Sequence, residues 1–78
     1  MKNLCVVCEC GWIIKGVEVS RVNGVLTLKD ASVVRRWANG RGIGGIAKAK
    51  NKAEYTLDQI GDVDIMQGKI LFMIPCEW

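Results

Sequence analysis

Hydrophobic and polar residues alternate along much of the first half of this sequence, and this period of two predicts strands with one buried face. The even positions of residues 4–14 are all apolar: Leu4, Val6, Cys8, Cys10, Trp12 and Ile14. Gly11 is expected to break or bulge this strand. Asn23-Gly24 separates two β-branched runs, which predicts a two-residue hairpin because both turn residues accept a positive φ. The first half of the chain is therefore predicted to be β.

The middle of the chain carries weaker patterns. Residues 32–37 are rich in β-branched side chains and predict a further strand, with a short helix as the alternative. After a run of glycines, helix-forming residues and an apolar stripe at Ile43, Ile46 and Ala47 predict one short helix. A helix of this length is stable in water when it packs against the rest of a domain.

The last third of the chain predicts two strands, joined by a turn at Met66-Gln67-Gly68. The apolar run Lys69–Ile74 is typical of a strand covered on both faces, and Pro75 is expected to end its hydrogen-bonded ladder. Together these elements predict a mainly β (α+β) fold for a single domain spanning residues 1–78. We expect a small, strongly bent antiparallel sheet or barrel of about five to six strands with one short helix.

Composition adds an expectation about assembly. Half of the 78 residues are hydrophobic, which is too many for a disordered chain, yet a domain this small has a thin core. Burial between subunits resolves this conflict, so a homo-oligomer is expected. No secretory signal pattern or membrane-spanning apolar run occurs, so no membrane partner is expected. We therefore expect a cytoplasmic protein with reduced thiols.

Charge is distributed unevenly along the chain. Residues 31–53 contain six basic side chains and no acidic one, whereas residues 54–78 contain five acidic side chains and one basic one, Lys69. This layout suits an anionic ligand at the centre, or contacts between opposite patches on neighbouring copies. The alternative is that the two patches face each other within one fold.

The glycine-rich stretch within the basic region is the strongest candidate site. Its G-x-G-x-x-G spacing matches a dinucleotide fingerprint, but the chain is too short for a doubly wound sheet and its hairpins are antiparallel. Bare backbone N–H groups and arginine forks suit a phosphate, and Trp37 suits stacking on a base. The predicted ligand-binding residues are Arg35, Arg36, Trp37, Gly40, Arg41, Gly42, Gly44, Gly45 and Lys48. The alternative is a surface loop in which Trp37 fills a core or interface and the lysines are solvated.

Other chemistry is poorly supported. The four cysteines, Cys5, Cys8, Cys10 and Cys76, are expected to be small apolar side chains; zinc binding is the alternative, although three of them lie along one predicted strand. The chain has no histidine, the commonest general base, so we predict neither an enzyme nor a cofactor. Trp78 is expected to pack against the body of the protein or a neighbouring subunit.

Two resemblances complete the sequence picture. Residues 11–31, with Gly16, Asn23-Gly24, Leu26, Leu28 and Asp30-Ala31, resemble the first half of Sm-like or SH3-like small barrels, although the central segment departs from that pattern. Residues 35–50, in which Trp37 and a run of glycines precede the predicted helix, are similar to small uncharacterised bacteriophage and prophage proteins. This resemblance implies a location in the host cytoplasm.

Together, these features favour a non-enzymatic module of phage type that binds a phosphate-bearing ligand, either a nucleotide or a nucleic acid. One version is a sponge that traps a nucleotide signal of host defence, and another is a charged ring that binds RNA or DNA. The alternative is a protein–protein adaptor or inhibitor that docks on a host or viral protein, or an oligomeric structural protein without a small ligand.

Overall fold

Five antiparallel strands form a single sheet in the computed structural model, which describes residues 2–37, 40 and 42–78. The strand order across the sheet is β4-β3-β2-β1-β5. The strands are β1 (Asn3–Cys8), β2 (Ile13–Val22), β3 (Val25–Trp37), β4 (Tyr55–Met66) and β5 (Ile70–Cys76). This arrangement confirms the predicted mainly β fold with a bent antiparallel sheet. No helix within the described ranges is long and apolar enough to cross a membrane.

The local turn predictions can be compared directly with the backbone. Asn23 and Gly24 have φ values of 52° and 76°, and Val22 pairs with Val25, so the predicted hairpin is confirmed. The strand predicted over residues 4–14 is interrupted earlier than expected, by a 3₁₀ turn at Glu9–Gly11. Residues 32–37 belong to β3, so the strand prediction is confirmed there and the helical alternative is wrong.

A line of irregular positions bends the sheet. The β2–β3 register shifts next to Gly16, and the β3–β4 register shifts on both sides of Ala31. A Cβ atom on Gly16 would lie 3.0 Å from the Leu28 Cβ and 3.2 Å from the Ala31 Cα, so only glycine allows β2 and β3 to approach this closely. Asp30 has a φ of 50° at the same level of β3. These positions curl the sheet into a half-barrel.

One face of the sheet forms the first core. Its buried members come from three strands, β1, β3 and β4, and are all apolar: Leu4, Val6, Cys8, Leu26, Leu28, Ala31 and Ile65. Ile14, Val63, Ile70 and Met73 pack against them while half-buried. The predicted alternation in β1 is thus correct for its even positions up to Cys8, whereas Cys10 and Trp12 lie in and after the turn and are exposed.

The opposite face forms a second core. Cys5, Val34, Ile46 and Tyr55 are buried in it, and its half-buried members are Ile13, Trp37, Ile43, Leu57, Ile74, Cys76 and Trp78. Ile43 and Ile46 belong to a 3₁₀ segment, Ile43–Ala47, which covers this face. Because Cys5 is fully buried, β1 is covered on both faces and not on one as its alternation predicted.

The single short helix predicted after the glycines is replaced by two 3₁₀ segments, Ile43–Ala47 and Ala49–Glu54. Lys48 lies between them in an extended conformation, with a ψ of 127°. Gly44 and Gly45 lower the helix propensity of the first segment, and packing of Ile46 on the sheet decides its position instead.

Strand β5 differs from its prediction. Leu71 and Phe72 are 63% and 49% exposed, so this apolar run lies at a sheet edge and is not covered on both faces within the chain. Pro75 does not end the ladder, because it pairs with Leu4 and the strand continues to Cys76. An edge strand tolerates proline since only one of its sides is hydrogen-bonded.

Candidate nucleic-acid interface

The predicted ligand-binding residues lie at one end of the sheet. Trp37 at the end of β3 pairs with Tyr55 at the start of β4. The two ends of the stretch 38–54 are therefore attached at adjacent positions of the sheet. We call the described part of this stretch, residues 40 and 42–54, the connecting segment. Arg35 and Arg36 precede it on β3, and Lys48 lies within it. Arg41, also predicted to bind the ligand, lies outside the described residues.

Aromatic and amide side chains anchor the connecting segment through its glycine carbonyls. The rings of Trp37 and Tyr55 lie 6.1 Å apart at 36°, and the Tyr55 hydroxyl donates to the Gly42 carbonyl at 2.8 Å. The buried Asn51 side chain donates to the Gly45 carbonyl at 2.9 Å. Trp37 is half-buried in the second core, which agrees with the packing role left open by the sequence. Phosphate binding by the glycine N–H groups stays a prediction; Gly40 and Gly44 are exposed.

The two arginines before the connecting segment differ in their partners. Arg35 Nε donates to Asp58 Oδ2 on β4 at 2.8 Å, and both side chains are substantially exposed. Arg36 is exposed beside Thr56 and forms no ion pair with any residue that the structure describes. Acidic β4 therefore neutralises one predicted phosphate ligand and leaves the other available.

Lys48 is neutralised by the other end of the chain. Its Nζ lies 3.5 Å from Glu77 Oε2, while Glu77 Oε1 accepts a hydrogen bond from the Ala49 N–H at 2.9 Å. The Ala49 N–H, and next the charge of Lys48, hold the pKa of Glu77 below its ordinary value. The intrachain arrangement of opposite patches is therefore present at Lys48 and Arg35. Lys50 and Lys52 are exposed and have no ion-pair partner within the described ranges.

Residues Cys76–Trp78 lie across the connecting segment, and we call them the strap. The Glu77 N–H donates to the Ala47 carbonyl at 2.8 Å, and Trp78 Nε1 donates to the Ile46 carbonyl at 2.7 Å. The expectation that Trp78 packs against the body is confirmed. These backbone contacts join residues about thirty positions apart, so no local pattern in the sequence signals them.

Beneath the strap lies a buried lysine that sequence analysis did not single out. Lys15 is 8% exposed, its Nζ lies 4.0 Å from the centroid of the Trp78 ring, and it donates to the Trp78 carbonyl. Burial lowers the pKa of Lys15. Burial also raises the pKa of Cys5 to about 12, and it raises the pKa of Cys76 above its ordinary value. High pKa values make Cys5 and Cys76 poor nucleophiles at neutral pH.

The cysteines are distributed over different parts of the fold. Cys5 and Cys76 belong to the second core, Cys8 belongs to the first core, and Cys10 is exposed at the β1–β2 turn. Among the residues that the structure describes, no three cysteine or acidic side chains are grouped closely enough to hold a metal ion. Cys5 and Cys76 are neighbours in the second core, whereas Cys8 faces the first core and Cys10 is exposed.

A second exposed feature lies at the other end of β3. The Gln67 N–H donates to the Gly24 carbonyl at 2.8 Å, so the β2–β3 and β4–β5 turns lie side by side. Near them, an open cavity of about 400 Å³ is lined largely by apolar side chains, among them Trp12, Ile14 and Met66. Trp12 is 59% exposed. The alternation of residues 4–14 placed Trp12 on the buried face, so sequence analysis missed its exposure.

Comparison with known proteins gives a fold but no closer relationship. No protein-family model and no curated protein matches this chain. Among solved structures, it is similar to a heptameric archaeal Sm protein, with a TM-score of 0.63 and 19% identity over 95% of this chain and 84% of that one. It is also similar to the SmAP1 heptamer of P. aerophilum, with a TM-score of 0.66 and 18% identity over 99% of this chain and 81% of that one. The predicted Sm-like resemblance is therefore confirmed at the level of structure, and the chain has the fold of Sm proteins.

Proposed function

We propose that this protein is a non-enzymatic homo-oligomer that binds single-stranded nucleic acid, RNA in particular, through the basic end of its sheet. The observation that carries the proposal is the set of exposed cations Arg36, Lys50 and Lys52, which have no ion-pair partner among the described residues. Unpaired cations release counterions from a phosphate backbone when they bind it, and this release supplies most of non-specific affinity.

The two sheet edges support assembly. Strands β4 and β5 are the outer strands, and each is paired on one side in the described chain. Ile60 on β4 and Leu71 and Phe72 on β5 are exposed apolar side chains on these edges. Long apolar edges are templates for pairing with another chain. The similar solved structures are heptamers, one of them discussed for its implications for the eukaryotic snRNP core, a ribonucleoprotein.

Assembly would turn a weak local site into a strong one. Each copy contributes the same few cations, and a polymer of phosphates engages several copies at once, which raises the overall affinity without new contacts. Exposed, spaced cations suit such a polymer better than a mononucleotide, which requires polar groups converging on a pocket. The sponge for a nucleotide signal and the adaptor that docks an acidic protein patch are therefore outcomes that the test must distinguish.

The test measures fluorescence anisotropy of labelled single-stranded RNA, single-stranded DNA and a mononucleotide between about 50 and 300 mM salt, because counterion release makes binding depend on salt over this range. We expect RNA binding to weaken steeply with salt. The variant Lys50→Gln/Lys52→Gln should reduce the slope of log Kd against log salt by about 0.7 for each lysine that contacts a phosphate. Light scattering should show an oligomer.

The matched control is Lys2→Gln/Lys29→Gln, which removes the same charge from positions outside the connecting segment. Equal losses in the two double variants would contradict an interface at the connecting segment. Tight mononucleotide binding with little salt dependence would instead favour the sponge, and failure to bind any of these ligands would favour the adaptor.

A further inference from the structure

The strap contains one acidic side chain, and its position relative to the basic end is specific. Lys48, Lys50 and Lys52 follow one another at alternate positions of the connecting segment. Of these three lysines, Lys48 is paired with Glu77, which comes from the far end of the chain. The positive charge of Lys50 also lowers the pKa of Glu77, but the ion pair within 4 Å is made with Lys48.

The carboxylate of Glu77 is held independently of Lys48. The Ala49 N–H donates to its Oε1 at 2.9 Å, and the Glu77 N–H donates to the Ala47 carbonyl at 2.8 Å. Trp78 fixes the same strap through the Ile46 carbonyl. Glu77 therefore keeps its charge beside Lys48 without depending on the ion pair for its position.

The ion pair itself is easily broken. The Lys48 and Glu77 side chains are 62% and 54% exposed, and their charged atoms lie 3.5 Å apart. Exposed pairs of this kind are weak, so a phosphate group in solution competes well with the carboxylate. Arg35–Asp58 has a shorter separation of 2.8 Å and is expected to yield less readily.

We propose that Glu77 is an autoinhibitory contact, which occupies Lys48 in the free protein and competes with a nucleic-acid phosphate for it. This inference rests on the proposed function, because Lys48 matters only if the basic end binds phosphates. The strap thus limits affinity for nucleic acid while keeping the connecting segment in place. Removal of the Glu77 charge, with the strap kept intact, should release the lysine.

Glu77→Gln tests this with little structural change, because the glutamine amide oxygen still accepts the Ala49 N–H. In anisotropy titrations with labelled single-stranded RNA, we expect Glu77→Gln to bind about two- to fivefold more tightly than the unmodified chain. Its salt slope should steepen by about 0.7, the value of one added phosphate contact on a single strand.

The matched control is Glu9→Gln, which removes the same charge from another exposed ion pair, Glu9–Lys69 at 3.6 Å, at the opposite end of β3. A change in net charge alone would affect both variants equally. The double variant Glu77→Gln/Lys48→Gln completes the comparison, since the gain should disappear when Lys48 is absent.

Three results would overturn the inference. Equal gains in Glu77→Gln and Glu9→Gln, or a gain that persists without Lys48, would overturn it while leaving nucleic-acid binding intact. Absence of RNA binding in every variant would overturn the proposed function and this inference together. A gain that requires both the loss of Glu77 and the presence of Lys48 would support it.

Discussion

The two faces of the sheet are built in different ways. The first core consists of apolar side chains from the strands themselves. The second core is closed by Ile46 of the connecting segment and by Trp78 of the strap, which join the sheet from distant parts of the sequence. The first core therefore determines the shape of the domain, and the second determines where the cations are presented.

The two faces of the sheet also differ in their polar and titratable groups. Within the described residues, Lys15, Asn51 and the hydroxyl of Tyr55 all lie around the second core, and each makes a hydrogen bond. Among the described members of the first core, Cys8 has the one titratable group, its thiol. The face that presents the candidate site is thus the one that contains hydrogen bonds which a ligand or a change of pH can alter.

The largest expected difference concerns large-to-small substitutions in the two cores. Leu26 and Ile46 are both fully buried, one in each core. Leu26→Ala should lower the free energy of unfolding by about 2–5 kcal/mol, because it leaves a cavity among strands that cannot close around it. Ile46→Ala should cost less in urea unfolding, since the connecting segment can detach locally before the sheet unfolds.

Hydrogen exchange gives the corresponding local measurement. We expect Ile46→Ala to accelerate amide exchange in residues 43–54 while strands β1–β3 stay protected, and Leu26→Ala to accelerate exchange throughout. Equal global destabilisation by the two substitutions, with uniform exchange, would show that the two cores form one cooperative unit.

A smaller effect is expected in alkaline solution, from Cys5 in the second core. Its pKa is raised from 9.0 to about 12, first by burial and then by the neighbouring Cys76 thiol. The unfolded chain therefore loses this proton first, and the free energy of unfolding falls as pH rises above 9.0, by about 1.4 kcal/mol per pH unit. Cys5→Ala should remove this share of the slope in urea unfolding measured at successive pH values.

Val6→Ala is the control for that experiment, because Val6 is equally buried, faces the first core and has no titratable group. Val6→Ala should lower the free energy of unfolding by an amount that does not change with pH. The lowered pKa of Lys15 acts in the opposite direction above neutrality. Val6→Ala leaves this contribution unchanged, whereas Cys5→Ala also removes the interaction by which Cys5 raises the pKa of Lys15. An unchanged alkaline slope in Cys5→Ala would contradict the assigned burial of this thiol.

The smallest expected effect compares two tryptophans. Trp78→Phe keeps a ring over Lys15 but loses the hydrogen bond from Nε1 to the Ile46 carbonyl, which should cost about 1 kcal/mol in thermal or urea unfolding. Trp12→Phe, at a 59% exposed position, should change stability by less than about 0.5 kcal/mol. A larger loss at Trp12 would mean that its exposed ring is buried by something outside the single chain.

Local features of the fold were predictable from the sequence. The Asn23-Gly24 hairpin and the turn near Gln67 depend on the backbone preferences of adjacent residues, and both were predicted correctly. The exposure of β5 was not predictable, because a continuous apolar run has the same pattern at a sheet edge as in a sheet centre. Leu71 and Phe72 show this ambiguity directly, since their exposure depends on what lies beside the edge.

The candidate site was predictable in composition but not in electrostatics. The basic run was visible in the sequence, but the neutralisation of Arg35 by Asp58 and of Lys48 by Glu77 depends on strand pairing and on the strap. These partners lie 23 and 29 positions away along the chain. Charge counts along the sequence could therefore suggest an anion site without showing which cations stay available.

Gly16 has a consequence that extends beyond one chain. The close approach of β2 to β3 at Gly16, where a Cβ would lie within 3.2 Å of atoms of Leu28 and Ala31, fixes how sharply the sheet curls. That curl sets the angle between the outer edges of β4 and β5. Any assembly built through those edges inherits its rotation from one subunit to the next from this angle, and closed symmetry requires that rotation to divide a full circle. In the proposed homo-oligomer, the absence of a Cβ at Gly16 would thus influence the number of subunits.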